Sequence, residues 1–178
     1  DGKISSTDGL KAYQTLIRGV GVDLLITACS SNATMAAKGL IQSAKIPTIS
    51  VVTGGNNNDR AGRYMVRIGN SDSLNGVQEA EAFIADNIKN VALLTEETEY
   101  TQDIAKFFRP RFQELGGTVV FDQNFLPGTV DFRSAVSLMK RLNPSGILVL
   151  TQTGTAFGQF IKQWREQGGG TEVQIHTS

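Results

Sequence analysis

The residues able to do chemistry are few and fall at the ends of apolar runs. "TACSSNAT" (27–34) offers Ser30, Ser31 and Thr34 where the run "VDLLI" stops, and "TEETEY" (95–100) offers Glu96, Glu97 and Glu99 where "VALL" stops. Hydroxyls and backbone N–H groups at such a corner can cap a helix and still donate to a carboxylate or phosphate, because a helix N-terminus favours anions. Three glutamates near a strand end could hold a divalent cation through oxygen. They suit equally the first turn of a helix, whose dipole favours acids, and that is the preferred reading.

The inventory excludes much else. Cys29 and His176 are single, so a Cys2His2 zinc site, a Cys–His nucleophile pair or a histidine triad within these residues is not expected. "GVG" (19–21) precedes a strand-like run and lacks a third glycine, so it is not a dinucleotide loop. Seventeen basic residues balance seventeen acidic ones, which gives no electrostatic case for nucleic acid or a membrane surface. No apolar run approaches the ~20 residues of a membrane span, and the first residues lack a signal-peptide pattern. Trp164 and the Phe107, Phe108, Phe112 group sit at helical spacing and are expected in packing. Lys140 and Arg141 close a helix before Pro144, where they offset its dipole.

Strands and helices must alternate to position these corners. Helices are expected over 6–19, 34–44, 73–89, 100–115, 131–142 and 155–167, with strands over 22–27, 47–52, 64–69, 90–95, 118–125, 146–151 and 172–177. Gly19 is read as the end of the first helix, and Pro110 is expected to kink or break the fourth. The near-continuous apolar run "NVALLT" reads as a parallel strand covered on both faces. This alternation predicts α/β architecture with open parallel sheets, and a length of 178 residues suits one medium domain or two small lobes. The composition shift at "RIGNSDS" places the boundary between lobes 1–69 and 70–178. In open α/β sheets ligands bind beyond the carboxyl ends of strands, where "TACSSNAT", "SVVTGGNNN", "IGNSDS", "TEETEY" and "TQTGTA" all fall.

The runs "LITACSSNATMAAKGLIQSAKIPTISVV", "YMVRIGNSDSLNG", "VALLTEETEY", "DFRSAVSLMKRLNPSGILVL" and "GQFIKQWREQGG", in that order, resemble the type I periplasmic solute-binding proteins. Within them the chain looks most like the branch that binds leucine, isoleucine and valine for ABC importers. The resemblance implies two Rossmann-like lobes with parallel sheets, truncated at both ends: the C-terminal part of lobe 1 in 1–69 and the first part of lobe 2 in 70–178. It implies no catalysis and no cofactor, a periplasmic or cell-surface location, ABC permease subunits as partners, and an amino acid or related small carboxylate bound in an interlobe cleft. A ligand-sensing domain of a receptor or regulator with the same fold is the alternative it leaves open.

The family's motif positions carry over residue by residue. Ser30, beside Ser31, corresponds to the serine that binds the ligand carboxylate. Val52 and Thr53 correspond to the contacts near the amino-acid head group, Asp72 to the aspartate at the crossing between lobes, Tyr100 to the aromatic that closes over the ligand, and Thr153 to a contact from the loop after "GILVLT". An exposed sheet edge in the first lobe is expected to favour a dimer.

Overall fold

The computed structural model describes residues 5–27, 30–51 and 62–178. The chain divides into two compact units, Asp1–Asp72 and Ser73–Ser178. Among the described residues each unit contains one sheet, and every strand pairing in it is parallel.

In the first unit, β1 (Leu25–Thr27), β2 (Thr48–Ser50) and β3 (Met65–Arg67) form a sheet in chain order. Helices α1 (Ser6–Gln14) and α2 (Ser31–Ala44) accompany it. Leu25 and Met65 of the sheet pack with Ala37 and Ile41 of α2, and Leu10, Tyr13 and Ile17 lean on that cluster. The alternate strand positions point the other way: Ile26, Ile49 and Val66 stand in direct register, and Ile26 and Val66 are exposed.

The expected end at Gly19 is corrected here. A π-helical turn over Thr15–Val20 carries the first helix on, and Gly21 stops it in the left-handed region at φ 75°, its N–H donating to the Leu16 carbonyl. Glycine reaches that conformation without a Cβ penalty. Strands β1, β2 and β3 are each three residues long: β1 starts later than the expected 22–27 but ends with it, whereas β2 and β3 are shorter at both ends than 47–52 and 64–69.

In the second unit, β4 (Asn90–Glu96), β5 (Thr118–Phe125), β6 (Gly146–Leu150) and β7 (Gln174–Thr177) are ordered β5-β4-β6-β7. Between them in sequence lie α4 (Glu99–Glu114), α5 (Arg133–Leu142) and α6 (Gly154–Glu166), with α3 (Asp72–Ala85) before them. Val91 through Glu96 are all buried, as a strand paired on both sides and covered on both faces must be. Val91 and Leu93 face a cluster with Phe83, Ile104, Phe108 and Phe112, whereas Ala92 and Leu94 face one with Phe132, Val136, Met139, Phe160 and Trp164.

The helices depart from the sequence reading in several places: α2 begins at Ser31 rather than 34 and α5 at Arg133 rather than 131, and α3 and α4 differ more instructively. The helix expected to reach residue 89 ends at Ala85, because Asn87 takes a left-handed conformation and the Ile88 N–H turns back to the Phe83 carbonyl. Ile88 still reaches the core as the lead into β4. Pro110 does not break α4, which runs unbroken from Glu99 to Glu114. Pro110 lies on the exposed side with Lys106, so the carbonyl that loses its donor is on the side open to water. Phe108 and Phe112 on the opposite side hold the helix to the core.

Candidate functional site

In the first unit the corner after β1 is held by Ser30. Its backbone is extended at φ −153°, it precedes the first turn of α2, and its Oγ accepts the Ala33 N–H at 3.2 Å. Ser30 and Ser31 are 4% and 3% exposed, and the Thr34 hydroxyl meets Tyr13 Oη at 3.3 Å. The hydroxyl of Ser30 therefore performs the capping that its residue type foretells, and the N-terminus of a fourteen-residue helix converges on the same corner. Thr27, at the end of β1, is buried, and its Oγ1 has no hydrogen-bond partner among the described residues. Cys29, Val52 and Thr53 lie outside the described residues. Asp72 opens α3 and is 1% exposed.

In the second unit the corners after β4 and β6 are neighbours, since those strands pair with Thr95 opposite Leu150. Thr98 caps α4, its Oγ1 accepting the Thr101 N–H at 3.3 Å. Tyr100 follows in the first turn, half-buried and leaning on the cluster that contains Phe108 and Leu150. Thr153 stands at the head of α6 in an extended conformation, and its hydroxyl makes no capping hydrogen bond. The structure thus brings Tyr100 and Thr153 to the ends of adjacent strands.

The three glutamates separate. Glu96 is 2% exposed and its Oε2 accepts the Gln152 N–H at 2.6 Å, Glu97 is exposed, and Glu99 sits in the first turn of α4. Among the described residues no group of three histidine, cysteine, aspartate or glutamate side chains could hold a metal ion. His176 is committed elsewhere: on β7 it stacks on Phe83 with ring centroids 4.2 Å apart, and its Nδ1 lies 3.0 Å from Glu79 Oε2. Sequence reasoning missed the bond from Gln152 to Glu96, which joins positions 56 residues apart.

A profile described as Periplasmic binding protein matches residues 1–177. The chain belongs to the periplasmic binding protein family. The solved structures it resembles include a solute-binding protein of an ABC transporter from Rhodopseudomonas palustris BisB5 in complex with 3,4-dihydroxybenzoic acid, at TM-score 0.85 and 24% identity over 99% of this chain and 49% of that one. A leucine-binding protein, LivK, from Thermotoga maritima superposes at TM-score 0.86 with 23% identity over 98% of this chain and 50% of its own. The branched-chain amino acid substrate-binding protein LivJ from Streptococcus pneumoniae, in complex with isoleucine, gives 0.85 and 24% over 98% and 50%. At these identities the likeness is one of fold, and it bears out the α/β architecture with parallel sheets. The chain spans about half the length of these structures. A comparison with curated protein sequences found no match.

Proposed function

We propose that this chain is part of an extracytoplasmic solute-binding receptor of an ABC importer, delivering its ligand to membrane permease subunits. The ligand we assign is a small carboxylate with an apolar or aromatic body. The observation that carries this reading is the family match across residues 1–177, joined to a polar strand-end corner in each unit. Isoleucine and 3,4-dihydroxybenzoic acid, the ligands of two resembling proteins, differ in almost everything except a carboxylate on a compact apolar frame. A serine hydroxyl at the N-terminus of α2 suits that shared group, since both the N–H donors and the helix dipole favour an anion.

In this reading Ser30 and Ser31, with Val52 and Thr53, take the carboxylate and head group, while Asp72, Tyr100 and Thr153 contact the remainder. Residues 1–69 belong to the first lobe of the receptor and 70–178 to the second. Branched-chain amino acids are the preferred members of the ligand class, and benzoates compete with them, since a residue as small as Thr153 leaves the side-chain preference open.

Calorimetric titration with isoleucine, leucine and 4-hydroxybenzoate tests the assignment. Ser30→Gly removes the hydroxyl while costing a helix cap only a few tenths of a kcal/mol. It should weaken binding by about 10- to 100-fold, the range for a lost hydrogen bond to a charged group. Failure of every small carboxylate to bind, or undiminished affinity in Ser30→Gly, overturns the assignment.

A further inference from the structure

Glu96 is the last residue of β4, and the structure routes two separate connections through it. Its backbone carbonyl accepts from the Thr98 N–H at 2.9 Å, from Thr101 Oγ1 at 2.5 Å and from Gln102 Nε2 at 3.2 Å. All three donors belong to the start of α4, the turn that carries Tyr100. Its carboxylate points instead toward the chain after β6, where Oε2 accepts the Gln152 N–H at 2.6 Å. Gln152 immediately precedes Thr153, and the first helical residue of α6 is Gly154.

We infer that Glu96 is a positioning residue that fixes the spacing between the Tyr100 turn and the 151–153 loop. The two segments leave adjacent strands that pair as far as Thr95 and Leu150, and the bond from Glu96 to Gln152 carries their connection beyond that last paired position. Each follows a different strand, and Thr153 has no capping bond of its own to anchor the head of α6. A carboxylate this buried is costly to leave without a donor, so it holds whatever satisfies it. The amide it binds also lies at the positive end of α6, which adds to the attraction. The buried Thr98–Thr101 hydroxyl pair, 2.8 Å apart, stiffens the other end of the connection. Of the neighbouring glutamates, Glu97 is exposed and Glu99 lies in the first turn of α4.

The consequence for binding rests on the proposed function, in which Tyr100 and Thr153 both touch the ligand. Their mutual distance then sets how wide a ligand body this unit accepts, and Glu96 sets that distance without touching the ligand.

Amide hydrogen exchange tests the positioning role independently of any ligand. Glu96→Ala should accelerate exchange at residues 151–154 by about tenfold or more, the equivalent of one lost bond to a charged acceptor. Glu96→Gln, which keeps an acceptor oxygen in the same place, should stay near the wild-type rate. Glu96→Asp retains the charge but falls one methylene short, so it should reproduce the local acceleration even if the alanine variant fails to fold. Unchanged exchange at Gln152 in Glu96→Asp, or acceleration spread evenly over β5 and α5 as well, overturns the inference. Isoleucine and 4-hydroxybenzoate titrations on the same variants read the consequence: affinity should fall about tenfold in Glu96→Asp and be restored in Glu96→Gln. If the wild-type protein binds neither probe, the ligand assignment fails, while the exchange result alone still decides the positioning role.

Discussion

Gly9 of α1 lies so close to α2 that a Cβ added to it would stand 2.3 Å from the Ala33 Cβ and 2.9 Å from the Ala33 Cα. No side chain fits between the two helices at this point, and the obstacle on the far side includes backbone. Gly9→Ala should therefore destabilise the protein by about 1–3 kcal/mol, as overpacking does, despite the better helix propensity of alanine. Gly39, in the middle of α2, supplies the opposite case, because a Cβ there meets nothing within 4 Å. Gly39→Ala should stabilise by about 0.5–1 kcal/mol. Urea unfolding followed by circular dichroism reads both, and the two substitutions should move the midpoint in opposite directions.

On one face of the second unit's sheet three rings pack together. Phe108 and Phe112 stack at 5.1 Å between centroids, and Phe83 presents an edge to each at 6.1 and 6.2 Å. All three side chains are fully buried. Phe108→Ala should cost about 3–5 kcal/mol through lost burial and the cavity left behind. Phe107, next along the helix, is half-buried with Lys106 Nζ 5.8 Å from its ring centroid, so Phe107→Ala should cost far less. Denaturation of the two single variants should separate them clearly, and equal losses would contradict the packing described here.

The contrast between Phe107 and Phe108 shows how far the sequence could be read. Period and run length were enough to expect every strand from β1 to β7 and to place Phe108 and Phe112 in the core, because burial imposes those patterns directly on residue type, but they grouped Phe107 with the same packing, and it is only half-buried. Tyr100 and Thr153 were legible as strand-end residues for the same reason. Continuity through Pro110 was not, since it depends on which side of the helix the proline falls and on how firmly Phe108 and Phe112 anchor its flanks. The role of Glu96 was hidden altogether. A glutamate beside two others reads as a charged helix start, and only the pairing of β4 with β6 brings its carboxylate to an amide 56 positions away.

Pro110 itself gives a further test. Its ring removes one helical donor, and the Lys106 carbonyl opposite it is left to solvent. Pro110→Ala restores that bond on an exposed face where added volume meets no neighbour in the core. The substitution should raise stability, by an amount up to the ~3 kcal/mol that separates proline from alanine in a helix interior. A fall in the urea midpoint would mean that α4 depends on the proline for its course between Phe108 and Phe112.

Acid should act locally at the loop before α5. Asp131 accepts from Arg133 through both carboxylate oxygens, at 2.9 Å from Nε and 2.6 Å from Nη2, and also takes the Arg133 backbone N–H at 3.1 Å. The side-chain bonds to Arg133, with the backbone bond second, hold the Asp131 carboxyl down at about 2 from an ordinary 3.8. Because the folded value is the lower one, the pair's contribution is present above the unfolded value and is lost as pH falls from 3.8 through about 2. Both side chains are largely exposed, at 56% for Asp131 and 71% for Arg133, so water and salt reduce the effect on global stability. The clearer readout is the Asp131 carboxyl carbon shift in NMR. Its titration midpoint should rise toward 3.8 in Arg133→Ala, and 1 M salt should move the wild-type midpoint in the same direction by a smaller amount, because the hydrogen bonds persist where the long-range attraction is screened.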